Sequence, residues 1–279
     1  MLPMFKEYLE NYKTYTAKYG NKVAIFLMVG MFYEMYDVRN ESGETSTSFT
    51  DLTEILGLKV VVKKDGNEET LTAGIPESAV HKWAGRLTAL GWTVVLIDQV
   101  MNPAGKVTKR AVQRILTPGS HIEAATLSDM YLTFVSIKTN KANEPPSLAL
   151  TALDLTTGHL HVFETKASGT SEAWTSNDIL QFMELYPPRE VLWSYEALPG
   201  GLTESKLKSI LGCAPTTTFH QRSPLNSGAW VNPAFREEYL RTHCGLKSLL
   251  PTHVALHVAP NSHVETALLS LLYALEELW

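Results

Sequence analysis

Residues 23–36 read VAIFLMVGMFYEMY, and this stretch decides how the N-terminal part of the chain folds. Residues 23–29 form a continuous apolar run of strand length, which is typical of a strand buried on both faces. Gly30 ends the run, because a glycine directly after a buried strand lets the backbone turn or approach another molecule closely. If the next segment is extended, Phe32, Glu34 and Tyr36 share one face. These residues fit either an ordinary core strand or an exposed site.

Helical and strand patterns alternate on both sides of this stretch. Aromatic residues recur at helical spacing from Phe5 to Tyr19, and residues 93–97 form a second strand-like run. After about residue 125 the pattern restarts with three strand-like runs, at 131–137, 148–155 and 159–163, followed by helices that alternate with strands. This order predicts an α/β protein of two domains, residues 1–124 and 125–279.

The composition excludes several classes of protein. At 44% hydrophobic and 19% charged residues, the 279-residue chain can bury a real core, so we do not expect disorder. It has no run of 18 apolar residues and no secretory signal, and we expect no membrane segment. Cys213 and Cys244 are too few for a disulfide framework. These features predict an intracellular protein of a reducing compartment.

The charge of the chain argues against an isolated nucleic-acid binder. Lysine and arginine number 24 against 29 acids, which gives a net charge of −5. Residues 1–124 are neutral, so the acidic surplus lies in residues 125–279. The one sustained basic stretch, residues 106–119, contains Lys106, Lys109, Arg110 and Arg114 without an acid. It fits a solvated strand or loop as well as a patch that contacts a phosphate backbone.

The sequence offers little evidence for catalysis. It contains neither a phosphate-binding P-loop nor a Gly-x-Ser-x-Gly elbow. His253 and His257 lie at i, i+4 near His263, but they lack the glutamate of a zinc hydrolase, and we expect no metal site. Asp154 suggests a metal-dependent nuclease, yet such chemistry needs several converging carboxylates. A solvated or turn-capping role for Asp154 is therefore favoured.

The segment Gly30-Met31-Phe32-Tyr33-Glu34 resembles the Gly-x-Phe-Tyr-Glu motif of the MutS mismatch-recognition family. Further segments follow in the order and approximate spacing of that family, and together they cover essentially the whole chain: 73–76, 87–91, 94–99, 109–114, 117–119 and 153–158. The chain departs from the family at Met31, where aspartate is common, and at Glu77, Ser78, Ile97 and Asp98. These differences indicate a divergent branch.

The resemblance implies a fold and a site. Residues 1–124 would be the mixed α/β mismatch-recognition domain, and residues 125–279 would be the connector domain with a ribonuclease-H-like α/β fold. Phe32 would act as a wedge beside a mispaired base, Glu34 would bond to the displaced base, and Gly30 would shape the turn. Phosphate contacts are expected from six basic residues: Lys63, Lys64, Lys106, Lys109, Arg110 and Arg114.

The resemblance also implies partners. Mismatched double-stranded DNA is the expected ligand, a MutL-like protein is a candidate partner of the connector, and a homo- or heterodimer would form through other domains. The family's lever, clamp and ATPase domains would follow Trp279, so ATP and Mg²⁺ are expected only there. The chain itself is then expected to hold no cofactor and to be no enzyme. Two alternatives stay open, namely a ribonuclease-H-like nuclease or resolvase and a pure interaction module.

Overall fold

The computed structural model describes residues 3–39, 43, 45–65, 68–103, 105–122, 130–138, 147–166, 177–196 and 202–278. The chain forms two compact units, one of residues 1–126 with 278–279 and one of residues 127–277. Each unit has its own β-sheet with helices packed on it, which confirms the predicted α/β class. The boundary predicted between residues 124 and 125 lies outside the described residues.

The first unit is a six-stranded sheet with helices. Its strands pair in the order β3-β4-β2-β1-β5-β6, and all neighbours are antiparallel except β1 and β5. The helices are α1 (Pro3–Tyr19), α2 (Phe49–Leu56) and α3 (Val80–Ala89). The strands are β1 (Val23–Val29), β2 (Phe32–Arg39), β3 (Val61–Asp65), β4 (Glu68–Pro76), β5 (Thr93–Met101) and β6 (Val107–Leu116).

The apolar run at residues 23–29 becomes the central strand of this sheet. Residues 23–27 are completely buried, and because their side chains alternate between the two faces, both faces of β1 are covered. Helix α1 packs on β1 and β2, and it buries Phe5 and Tyr8 in doing so. The prediction of a strand buried on both faces is therefore confirmed.

The second unit is a five-stranded sheet with the order β9-β8-β7-β10-β11. Strand β8 is antiparallel to both of its neighbours, whereas β10 and β11 run parallel to β7. Numbered along the chain, the order is 3-2-1-4-5, which is the ribonuclease-H arrangement. The strands are β7 (Tyr131–Lys138), β8 (Ser147–Asp154), β9 (Leu160–Lys166), β10 (Pro188–Tyr195) and β11 (Thr218–Gln221).

Helices cover both faces of this second sheet. On one face, α8 packs on β7 and β8, where Leu271 joins Leu132 and Phe134 in a buried cluster. On the other face, Ile179 and Leu207 pack in a second buried cluster. The helices are α4 (Asn177–Leu185), α5 (Glu204–Leu211), α6 (Pro233–His243), α7 (Thr252–Ala255) and α8 (His263–Glu276).

Two elements of the first unit were not predicted. Residues 49–56 form helix α2 within a region that the sequence presents as polar and then apolar, and residues 68–76 form strand β4. Helix α2 begins at Phe49 and buries Phe49, Leu52 and Leu56, so a short amphipathic pattern was missed. None of the helices in the described part of the chain has both the length and the apolarity that crossing a bilayer requires.

Candidate functional site

Residues 30–34 begin at the tip of a β-hairpin. Strands β1 and β2 pair with Val29 opposite Phe32, so Gly30 and Met31 are the two residues of the connecting turn. Gly30 has a φ of +62°, which glycine adopts without steric cost. The carbonyl of Met31 accepts a hydrogen bond of 3.0 Å from the amide of Glu77, directly after β4. Three strands thus hold the tip in place.

Phe32 lies on the surface at this tip. Its side chain is 49% exposed, and that of the neighbouring Met31 is 75% exposed. Of the two interpretations that the sequence left open, a ring packed in the core does not agree with this exposure. The sheet instead presents an apolar ring to solvent on a hairpin whose backbone is firmly hydrogen-bonded.

Glu34 lies on the same face as Phe32, one residue pair further from the tip. It is half-buried, and its cross-strand partner is Gly74. A Cβ atom at position 74 would lie 3.5 Å from the Cγ of Glu34, so the glycine leaves one flank of the carboxylate side chain open. On the other side, the Tyr36 hydroxyl donates a hydrogen bond to Oε2 of Glu34. Burial, followed by this hydrogen bond, raises the pKa of Tyr36.

The alternate residues of β2 point to the other face and fasten the strand there. Tyr33 is buried, and its hydroxyl donates a 2.5 Å hydrogen bond to Asp98 on β5. Burial and this hydrogen bond raise the pKa of Tyr33. Asp37 is completely buried and accepts hydrogen bonds from the amides of Ser46 and Thr47, at 2.9 and 3.0 Å. Sequence reasoning missed Asp37, because its partners come from a loop with no recognisable motif.

The sheet register does not place all six basic residues expected to contact phosphate on one face. Residues paired across neighbouring strands share a face, and Lys63 reaches the face of Phe32 through its partner Thr70, which pairs with Val38. Lys63 is exposed there. Lys64 points to the opposite face, where its ammonium group lies 3.7 Å from the Glu69 carboxylate.

The other four candidates belong to β6 and the turn before it. Lys106 and Lys109 are exposed, and Arg114 is half-buried. Arg110 is engaged within the domain, since it donates hydrogen bonds of 3.1 Å to the carbonyl of Met28 and to the carboxylate of Glu7. With only 16% of its side chain exposed, Arg110 braces α1 against the sheet, which differs from the solvent-facing role expected of a phosphate contact.

Asp154 and His263, two of the residues considered for other chemistry, have structural partners. Asp154 is buried and accepts hydrogen bonds from the hydroxyls of Thr156 and Thr157, both at 2.7 Å, so it caps the turn after β8. His263 contacts the hydroxyls of Ser136 and Ser147 at 2.8 and 2.9 Å, and burial lowers its pKa to about 4. Within the described ranges, no three histidine, cysteine, aspartate or glutamate residues gather as metal ligands would.

Comparison with known proteins shows what the first unit is similar to. The family model described as MutS domain I matches residues 3–125. The DNA mismatch repair protein MutS of Fusobacterium nucleatum is 30% identical over 170 residues, which cover 59% of this chain and 17% of that protein. The DNA mismatch repair protein MutS of Pelotomaculum thermopropionicum is 28% identical over 242 residues, which cover 85% of this chain and 24% of that protein. The chain thus spans about a fifth of the length of these relatives.

Solved structures give more distant matches. The fowlpox virus Holliday junction resolvase matches with a TM-score of 0.36 and 14% identity, over 54% of this chain and 100% of that chain. RuvC of T. thermophilus in complex with a Holliday junction substrate matches with a TM-score of 0.27 and 16% identity, over 52% of this chain and 96% of that chain. The family model and the sequence relatives are the findings that carry the relationship: residues 3–125 match MutS domain I, and the chain is similar to DNA mismatch repair proteins MutS over as much as 85% of its length.

Proposed function

We propose that this chain recognises mispaired or unpaired bases in duplex DNA, with Phe32 as an inserted wedge. The observation that carries the proposal is the exposed ring of Phe32 at the tip of a hairpin that three strands hold in place. The two sequence relatives described above are named as DNA mismatch repair proteins, which agrees with such a role.

The physics of wedge insertion explains selectivity without sequence readout. Placing an apolar ring between base steps costs a few kcal/mol of unstacking and kinks the duplex. A mismatched site has already lost part of its stacking and pairing, so the same deformation costs less there. Stacking of the ring on a base contributes roughly 1–3 kcal/mol in return. Phe32 therefore favours the sites in a duplex that deform most easily.

Glu34 supplies a penalty against intact DNA. It shares a face with Phe32, and a carboxylate near phosphates is repelled unless a base offers it a hydrogen-bond donor. A displaced base at a mismatch can offer that donor, whereas a fully paired duplex cannot. Glu34 therefore weakens binding to matched DNA more than binding to a mismatch.

Binding of a duplex also requires contacts between the protein and the phosphate backbone. Lys63, Lys106 and Lys109 are exposed, and we propose them as phosphate contacts. Because the chain carries a net charge of −5, we propose that a second subunit and further domains supply most of the non-specific affinity.

A Phe32→Ala variant tests the wedge in the protein at its natural length. We expect its preference for a mismatched over a matched duplex to disappear, as measured by gel-shift titration of both duplexes. Phe235→Ala is the matched control, because Phe235 is a 37% exposed phenylalanine on α6 of the second unit. Unchanged preference in Phe32→Ala would refute the wedge.

The discriminating role of Glu34 has its own test. Glu34→Ala removes the charge that repels phosphate, so binding to matched duplex should tighten while the mismatch preference falls. The two dissociation constants, measured in the same titrations, report the two effects separately. Weaker binding to both duplexes by the same factor would contradict a role in discrimination.

A further inference from the structure

Tyr36 and Glu34 form a side-chain pair on the face that carries Phe32. The Tyr36 hydroxyl donates to Oε2 of Glu34, two residues away along β2. Glu34 is half-buried, and as a long side chain it loses rotamer freedom when its head group is held. The pair therefore restricts a carboxylate that would otherwise sample several positions beside the wedge.

Tyr36 is suited to fix the position of the Glu34 carboxylate because packing restricts its own side chain. Its side chain is only 5% exposed, and its ring lies edge-on to the ring of Tyr8, with centroids 5.7 Å apart and planes at 71°. Tyr8 belongs to α1 and is completely buried. The donor atom thus has a defined place in the sheet, and the carboxylate takes its position from that donor.

The surroundings leave one flank of the Glu34 side chain open. Gly74 stands opposite Glu34 and contributes no side chain to that flank. Arg110, fixed by Glu7 and by the carbonyl of Met28, places a positive charge close enough to Tyr36 to oppose the rise in its pKa. A carboxylate whose Oε2 accepts from a buried hydroxyl retains Oε1 as a second acceptor.

We propose that Tyr36 is a positioning residue for discrimination: its hydroxyl occupies Oε2 of Glu34 and presents Oε1 to an N–H donor of the base that Phe32 displaces. This inference rests on the function proposed above. It assigns specificity to a residue that does not itself touch DNA. Bases that offer an N–H group at the displaced edge are then preferred over bases that offer only acceptors.

A double-mutant cycle tests the proposal in the protein at its natural length. The variants are Tyr36→Phe, Glu34→Ala and the two combined, and the probes are a matched duplex and the same duplex with a single unpaired thymidine. Tyr36→Phe keeps the ring against Tyr8 and removes only the donor. We expect it to lower the ratio of the two dissociation constants about 2- to 10-fold, the value of one hydrogen bond.

In the Glu34→Ala background, the same Tyr36→Phe change should have no further effect on that ratio, because the hydroxyl then has nothing to position. Tyr33→Phe is the matched control. Tyr33 directly precedes Glu34, and its hydroxyl donates a hydrogen bond to Asp98 on the other face of the sheet. Removing that hydroxyl should leave the ratio of the two dissociation constants unchanged.

Two results would overturn the proposal. One is an unchanged ratio in Tyr36→Phe, and the other is an equal loss with and without Glu34, which would mean a structural effect. A wild-type ratio in Phe32→Ala would instead overturn the wedge itself, so the two failures are distinguishable.

Discussion

Glu34 and Asp37 lie three residues apart on β2 and point to opposite faces, and their partners give them different tasks. Asp37 is completely buried and accepts hydrogen bonds from the loop that leads to α2. Glu34 is half-buried and accepts one from Tyr36 beside the exposed ring of Phe32. A carboxylate whose two oxygens accept hydrogen bonds inside the protein stabilises the fold, whereas a half-buried carboxylate at the surface can meet a ligand.

Asp154 belongs to the first kind, and its stabilising effect should depend on pH. Asp154→Asn weakens the hydrogen bonds from Thr156 and Thr157 and should lower the free energy of unfolding by about 1–3 kcal/mol at neutral pH. Burial alone would raise the pKa of Asp154, but the threonine hydrogen bonds outweigh burial and hold it at about 2, below its ordinary 3.8. Urea denaturation of both proteins between pH 7 and pH 2 measures the effect.

The sign of the pH dependence follows from the lowered pKa. Stabilisation by the charged carboxylate is fully present above about pH 4, the pKa in the unfolded chain, and is lost as the pH falls towards 2. The difference between wild type and Asp154→Asn should therefore shrink over that range. Glu238→Gln, at an exposed position on α6, is the control and should change stability by less than about 0.5 kcal/mol. A constant difference from pH 7 to pH 2 would contradict the turn-capping role.

At the scale of the element, the β1–β2 hairpin depends on two glycines for different reasons. Gly30 has a φ of +62°, and an added Cβ atom would meet nothing within 4 Å, so only the backbone conformation requires glycine there. Gly74 has an ordinary φ, but an added Cβ atom would lie 3.4 to 4.0 Å from three atoms of β2. The first position demands conformational freedom, and the second demands only space beside Glu34.

Alanine substitutions should separate these two requirements. Gly30→Ala forces an L-residue into a left-handed conformation and should cost about 1–2 kcal/mol of unfolding free energy. Gly74→Ala makes ordinary van der Waals contacts and should change stability by less than about 0.5 kcal/mol. Thermal unfolding of the two variants gives the comparison directly. Equal stability of both would show that the turn at Gly30 is not under conformational constraint.

At the scale of the whole molecule, net charge limits the affinity that the chain by itself can have for a phosphate backbone. The net charge is −5, and the exposed lysines that we propose as phosphate contacts are Lys63, Lys106 and Lys109. Each phosphate contact adds to affinity for any sequence and is weakened by salt, because counterions are released on binding. The proposed function therefore assigns specificity to the hairpin tip and general affinity to a distributed set of cations.

Replacing Lys106 and Lys109 together by glutamine should test this separation. Affinity for matched and mismatched duplexes should fall by the same factor, and the slope of log affinity against log salt concentration should become shallower by about 2. Lys247→Gln, at an exposed lysine of the second unit, is the control. A selective loss of affinity for the mismatched duplex would place these lysines in base recognition instead.

Local sequence patterns determined much of this protein. The apolar run at residues 23–29 could only become a buried strand, and Gly30 after it required a turn, because strand length and glycine conformation are local properties. The three strands that open the second unit followed from strand-like runs in the sequence. The pentapeptide at residues 30–34 was sufficient to suggest the family.

Only the tertiary structure decided how those elements serve a site. Strand β4 brings Gly74 opposite Glu34, and α1 brings Tyr8 against Tyr36, contacts between residues that are about 30 to 40 positions apart in the chain. The same packing engaged Arg110 with Glu7 and left Phe32 exposed. The exposure and pairing of a side chain depend on which distant segments of the chain come into contact. The hydrophobic periodicity of one segment carries no information about those contacts. The sequence could therefore point to Phe32 and Glu34, but only the sheet register and the packing of α1 determined what surrounds them.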